Sequence, residues 1–148
     1  MSIMKEKRLR NLTWKDYDIS TYRYRELKNF CLQYDEKKKK IQYGLKAVKI
    51  DGMPKGNQAG KPTEENAVRN VMLQQDCSMV EEAAKATNPE IWKYLLKSVT
   101  EDVAFEYLEF DQELGRLPMG KTDFYGYRRL FYCNLDRLKN GDKLIGPQ

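Results

Sequence analysis

The chain has 148 residues and a net charge of +5; 41% of its residues are hydrophobic, 33% are charged and none is histidine. This length suits one compact domain or a small domain with a helical arm, and the apolar fraction is too high for a disordered chain. Without histidine the commonest general base and most transition-metal sites are excluded, so we predict a protein that is not an enzyme and uses no cofactor or metal.

The first block, residues 1–50, predicts a basic helical arm. Its start, Met1–Arg10, is basic, but no apolar stretch follows it, so we expect no signal peptide. No stretch of the sequence reaches the roughly 18 apolar residues of a membrane span. We therefore expect no membrane contact and a location in the cytoplasm of a bacterial host cell.

One long helix is predicted from Tyr17 to Val48, with a break near Tyr34–Asp35. Its apolar residues follow the spacing of a coiled-coil seam: Leu27, Cys31, Tyr34, Ile41, Leu45 and Val48. Such a narrow seam packs against one partner helix, either in a hairpin within the chain or in a homo-oligomer. The run Lys37–Lys40 is interpreted as a solvated face, with a phosphate-contacting arm as the alternative.

Glycine and proline cluster in residues 51–62, which predict a linker loop. A helical bundle is expected over residues 63–140, with Thr63 capping its first helix, and a tail over residues 141–148. The inner stripe of that first helix is predicted to contain Val68, Met72, Met79, Ala83 and Ala86. After a stop at Asn88–Pro89–Glu90, the most apolar stretch supplies the strongest core candidates: Ile91, Trp92, Leu95, Leu96 and Val99.

The last third of the sequence predicts a helix-turn-helix. We expect its first helix over Thr100–Asp111, then an extended turn or small wing over Asp111–Gly120, and a last helix that Thr122 caps and that continues to about Leu138. At 100° per residue, one stripe of the last helix is apolar and should face the core: Phe124, Phe131, Leu135 and Leu138. The fold class is therefore all-α, with a long N-terminal helical hairpin or arm and a C-terminal helix-turn-helix bundle.

The other faces of this last helix carry hydroxyls, aromatic edges and cationic groups. Hydroxyls and cations bind phosphate oxygens, arginine also reads the guanine edge, and a helix N-terminus attracts phosphate. We predict that double-stranded DNA is the partner and that the contacts come from six residues: Lys121, Thr122, Tyr125, Arg128, Arg129 and Tyr132.

Several segments resemble phage-encoded transcription regulators of the RinA/ArpU type. The most specific is Leu117–Arg129, which is similar to the family segment IPxGxxxFYxxRR. Weaker matches are Asp51–Gly56, Pro62–Thr63, Val99–Glu101 and Glu106–Leu108. The resemblance implies a sigma-factor-like helix-turn-helix that activates late or structural phage genes, with Thr122, Tyr125, Arg128 and Arg129 at the DNA. The stretch Glu109–Arg116 departs from the family pattern.

Charge is distributed unevenly, and this leaves alternatives open. Residues 1–50 carry +8, residues 51–114 carry −7 and residues 115–148 carry +4. The leading hypothesis is a phage or prophage DNA-binding transcription regulator that also has RNA polymerase as a candidate partner. One alternative is a small terminase subunit that recruits phage DNA for packaging. Another is a protein-binding inhibitor or modulator of a host enzyme, which would use the acidic middle as a nucleic-acid mimic.

The three cysteines are far apart in the sequence and odd in number: Cys31, Cys77 and Cys133. This pattern argues against a disulfide framework or a zinc site, and we expect reduced thiols.

Overall fold

A computed structural model describes residues 7–41 and 61–146, with side chains from residue 65 onward in the second stretch. The elements in chain order are a 3-10 turn at Leu9–Asn11, α1 (Thr21–Leu32), α2 (34–41), α3 (Lys61–Thr87), α4 (Trp92–Glu101), α5 (Phe105–Leu108), β1 (Phe110–Asp111), β2 (Gly115–Arg116) and α6 (Lys121–Asn140). The described part of the chain is mainly helical, as predicted. The expected linker lies outside it, except for Lys61 and Pro62, which belong to α3.

Helix α6 is the central element, and α1, α3 and α4 pack around it. Its predicted apolar stripe is confirmed at Phe124, Phe131 and Leu135, which are fully buried. Three of the five strongest core candidates are also confirmed: Ile91, which precedes α4, and Leu95 and Val99 on α4 are buried. The other two candidates, Trp92 and Leu96, are only half-buried. The C-terminal end of α6 is closed by Gly141, which has a φ of 78° and donates its N–H to two carbonyls of the last turn.

Two of the predicted boundaries of the N-terminal helix shift. The helix begins at Thr21 instead of Tyr17, because Ser20 caps it by accepting a hydrogen bond from the Arg23 N–H at 3.1 Å. The predicted break is present, but it lies one residue earlier, at Gln33. The seam residues Leu27, Cys31 and Ile41 are buried within this chain, and Leu45 and Val48 lie outside the described residues.

The lysine run in α2 is only partly solvated. Lys37 is buried: its Nζ lies 4.0 Å from the centre of the Phe30 ring and 3.1 Å from an Asp76 carboxylate oxygen on α3. Lys38 pairs with Glu81, also at 3.1 Å. The interpretation of Lys37–Lys40 as a solvated face is therefore wrong for Lys37, which helps to hold α2 against α3.

The inner stripe predicted for α3 is correct only toward the C-terminal end of that helix. Ala83 is buried and Met79 and Ala86 are half-buried, whereas Val68 and Met72 are exposed. The buried residues among the described side chains of α3 all lie in its second half: Cys77, Val80, Ala83, Ala84 and Thr87. Burial of α3 by the described elements is therefore greatest on that half.

The first helix predicted for the helix-turn-helix, Thr100–Asp111, is wrong. Helix α4 continues to Glu101, and the chain then turns at Asp102, whose φ is 53°. The short helix α5 follows, and the predicted wing is a two-stranded antiparallel hairpin that pairs Phe110 with Arg116. The Asp111 carboxylate holds this hairpin, since it accepts the N–H groups of Glu113 and Leu114 and pairs with Lys97 at 2.5 Å.

All three cysteines are free and buried. Burial raises the pKa of Cys31 to about 12 and also raises the pKa values of Cys77 and Cys133. Because the reactive form of cysteine is the thiolate, these side chains act as core residues.

Candidate functional site

The exposed part of the predicted DNA-contacting set is the first turn of α6. Lys121 and Thr122 are both exposed there, and the Lys121 Nζ lies 2.7 Å from a Glu106 carboxylate oxygen. Gly120 occupies the N-cap position, not Thr122 as predicted, and no side chain caps the helix. This end of α6 therefore has the partial positive charge of an uncapped helix N-terminus.

Arg129 has a different role, which is to hold the N-terminal segment of residues 7–19 on α6. Its Nε donates to the Leu12 carbonyl at 2.7 Å and its Nη2 donates to the Arg10 carbonyl at 3.0 Å. Gly126 allows the segment to approach closely, because a Cβ at that position would lie 3.0 Å from the Arg10 Cα. Leu12 and Leu130 complete the contact in a small apolar cluster.

The remaining three predicted residues, Tyr125, Arg128 and Tyr132, line a cavity between the N-terminal segment, α1 and α6. Tyr132 is 0% exposed, and the side chain of Arg128 is 16% exposed. The Tyr125 hydroxyl accepts a hydrogen bond from the Phe105 N–H at 3.1 Å. These side chains are engaged within the fold, so they do not form an outward-facing surface.

The six predicted contact residues are thus divided among three environments, and of the six only Lys121 and Thr122 are exposed. The expectation that all six side chains are available to DNA is therefore not met for Tyr125, Arg128, Arg129 and Tyr132, which are half-buried or buried. A helical projection shows which residues share a face of the helix, but it does not show how many faces are covered by other parts of the chain. Here α6 is covered on one side by the bundle and on another by the N-terminal segment.

Residues of the N-terminal segment that were not predicted as contacts add charge beside the first turn of α6. Arg8 and Arg10 are both exposed. They lie at an open cavity of about 360 Å³ between the N-terminal segment and the start of α6, which is lined by Arg8, Leu9, Arg10, Met119, Asp123 and Tyr127. Arg10 lies 3.6 Å from Asp123. We call Arg8, Arg10, Lys121 and Thr122, with the first turn of α6, the basic end. Its one signal in the sequence is the basic composition of Met1–Arg10.

Part of the acidic middle has internal partners. Glu81 accepts hydrogen bonds from Tyr34 and Lys38; burial opposes its ionisation, but these two bonds outweigh burial and lower the pKa of its carboxyl.

By contrast, the region around α5 and the hairpin exposes two aromatic rings, with Tyr107 79% exposed and Phe110 67% exposed. Acidic side chains flank them: Glu106 and Glu113 are exposed and Glu109 is half-buried.

Among the described residues, no group of three or more acidic or cysteine side chains is placed to hold a metal ion. None of the helices in this part of the chain is both long enough and apolar enough to cross a bilayer. No protein-family model, curated protein or solved structure matches the chain.

Proposed function

We propose that this chain is a DNA-binding protein, a phage or prophage transcription regulator that contacts phosphates with the basic end. The observation that carries the proposal is the uncapped first turn of α6 beside the exposed side chains of Arg8, Arg10 and Lys121. A helix N-terminus and nearby cations are the usual partners of a phosphate group. The resemblance of Leu117–Arg129 to the RinA/ArpU type of regulator supports the same role.

Two carboxylates at the basic end weaken its field without preventing this contact. Asp123 lies 3.6 Å from Arg10 and Glu106 lies 2.7 Å from Lys121, and all four side chains are about half exposed. Exposed pairs of this kind contribute only about 0–1 kcal/mol, so a DNA phosphate can replace a carboxylate as the partner of either cation. Arg8 adds a further exposed cation beside them.

The proposal predicts that the variant R8Q/R10Q/K121Q binds random duplex DNA with a flatter dependence on salt. Each phosphate contact that is lost should reduce the slope of log K against log salt by about one unit. The measurement is fluorescence anisotropy of a labelled duplex at several salt concentrations. The matched control, K85Q/K93Q/K143Q, removes the same charge from exposed lysines outside the basic end and should keep the parent slope.

Equal slopes for the two triple variants would contradict the placement of the interface, and no binding by the parent at low salt would contradict DNA binding altogether. The mass in the same buffer separates a regulator, expected as a monomer or dimer, from a small terminase subunit, expected as a ring.

A second candidate function is protein binding through the exposed aromatic rings at α5 and the hairpin. Tyr107 and Phe110 are large apolar groups with an acidic surround, and Arg116 lies over Phe110 at 5.5 Å. Aromatic residues and arginine dominate the energetics of protein interfaces. If the chain is a transcription regulator, the protein partner of the surface around Tyr107 and Phe110 would be RNA polymerase.

This second candidate predicts that the parent chain co-purifies with bacterial RNA polymerase in vitro and that the variant Y107S/F110S does not. Because both rings are exposed, the fold should tolerate the change, and the same variant should keep the salt slope on DNA. Equal retention of parent and variant by the polymerase would exclude this surface as the interface.

A further inference from the structure

The open cavity at the basic end is large enough to hold a ligand and is accessible from solvent. Its volume is about 360 Å³, and sites for small molecules usually measure about 300–1,000 Å³. Each of its six lining residues is exposed or half-buried: Arg8, Leu9, Arg10, Met119, Asp123 and Tyr127. The chemistry of these six side chains therefore determines what the cavity can bind.

The apolar part of the cavity wall favours a flat ring. It consists of Leu9, Met119 and Tyr127, all of which are half-buried. A phosphate group would leave this apolar surface in contact with water, whereas a ring that packs on it removes it from water. Nucleic-acid bases that lie outside a helical stack pack on side chains of this kind. The cavity therefore suits a base better than it suits a phosphate.

The polar part of the wall places a cation beside an anion. The Nε of Arg10 lies 3.6 Å from a carboxylate oxygen of Asp123, and both side chains are nearly half exposed. This distance exceeds the roughly 2.7–2.9 Å of a charge-assisted hydrogen bond, and exposed pairs contribute little to stability. Each group can therefore bind a ligand while the two remain side by side.

Guanine is the base whose hydrogen-bonding edge matches this pair of groups. Its N1–H and N2–H₂ are neighbouring donors that a carboxylate can accept with its two oxygens, and its O6 and N7 are the acceptors that arginine binds. In the other three bases the donor on this edge is next to an acceptor, which a carboxylate repels. Because O6 and N1–H are neighbours, a guanidinium and a carboxylate that lie side by side can bind guanine together.

We propose that the open cavity binds a guanine base that lies outside a helical stack. Asp123 accepts hydrogen bonds from N1–H and N2–H₂, Arg10 donates to O6, and the ring packs on the apolar part of the wall. Arg8 and Lys121 are left for the phosphates of the same nucleotide, so the inference deepens the proposed function and rests on it for these phosphate contacts. The base is an unpaired guanine of a DNA strand or that of a free nucleotide, because pairing in a regular duplex occupies this edge.

The DNA arm of the test uses labelled duplexes that differ at one central unpaired nucleotide, which is dG, dA, dC, dT or an abasic site. Fluorescence anisotropy at one salt concentration gives the affinities. The duplex with unpaired dG should bind about tenfold more tightly than each of the others, the effect of one good bidentate contact to a base. The abasic duplex controls for the bend at the unpaired position, and a perfect duplex reports the phosphate contacts alone.

The nucleotide arm is calorimetric titration of the chain with dGMP and with dCMP. A preference for unpaired dG without saturable binding of dGMP assigns the site to a DNA strand. Saturable binding of dGMP but not of dCMP, without a preference in DNA, assigns it to a free nucleotide. Both results together mean that the cavity takes guanine from either source.

Matched variants make the assignment specific. D123N replaces one of the two carboxylate oxygens with an amide group and should abolish the preference for guanine. D142N is its control, because it removes the same charge from an exposed aspartate that does not line the cavity, and it should keep the preference. R10K keeps the charge but loses the planar guanidinium, so it should reduce the preference, whereas R8K should keep it.

Two results would overturn the proposal: no preference for unpaired dG together with no saturable binding of dGMP, or an equal preference for guanine in D123N and D142N. Its failure differs from failure of the proposed DNA contact. If R8Q/R10Q/K121Q flattens the salt slope on the perfect duplex but guanine is not preferred, only the guanine site is wrong. If dGMP binds and DNA does not, only the DNA contact is wrong.

Discussion

Replacing Phe131 with alanine is expected to lower the free energy of unfolding by about 3–5 kcal/mol. Phe131 is 0% exposed in the middle of α6, and its ring meets that of Tyr132 at 5.1 Å. Removal of the ring leaves a void at the point where α6 packs into the main core cluster, together with residues of α1, α3 and α4. Urea denaturation, followed by circular dichroism, measures the change.

The matched control for this variant is Phe110→Ala, the same substitution at a ring that is 67% exposed. Its effect should stay within about 0.5 kcal/mol, because exposed positions rarely contribute more. A similar loss of stability in both variants would contradict the central position of α6.

Replacing Arg129 with methionine is expected to lower the free energy of unfolding by about 2–3 kcal/mol, because hydrogen bonds to charged groups contribute roughly 1.5–3 kcal/mol each and this pair is partly exposed to water. The change removes both hydrogen bonds to the N-terminal segment, at Arg10 and Leu12, and keeps most of the side-chain volume. Urea denaturation gives the loss, and limited proteolysis should show earlier cleavage within residues 7–19.

Arg25→Met serves as the control, since Arg25 is exposed and lies 5.7 Å from the ring of the exposed Tyr22. It removes the same charge without touching the N-terminal segment, and its stability should match that of the parent. If Arg129→Met were as stable as Arg25→Met, the N-terminal segment would not depend on Arg129.

This role of Arg129 also affects how DNA-binding measurements on variants of α6 should be interpreted. Neutralising Arg128 and Arg129 together would release the N-terminal segment and alter the cavity between that segment, α1 and α6, so a loss of DNA binding would not identify a base contact. The triple change at Arg8, Arg10 and Lys121 avoids this problem, because the side chains it removes are exposed.

The sequence by itself determined the helical class and much of the core. Periodic apolar residues predicted which side of α6 is buried, as Phe124, Phe131 and Leu135 confirm, and turn-forming residues predicted an interruption before α6. Periodicity succeeds here because a helix that buries one face must repeat apolar residues every three or four positions.

Only the tertiary structure decided what happens to the polar side of α6. The sequence suggests that Tyr125, Arg129 and Tyr132 face outward, but they lie under or beside the N-terminal segment, more than 100 residues away along the chain. The local sequence around Arg129 does not indicate that its hydrogen-bond partners are the carbonyls of Arg10 and Leu12. Backbone carbonyls carry no sequence signal, and an arginine can donate hydrogen bonds to a carbonyl, a carboxylate or a phosphate, so packing between distant segments determines which partner it has.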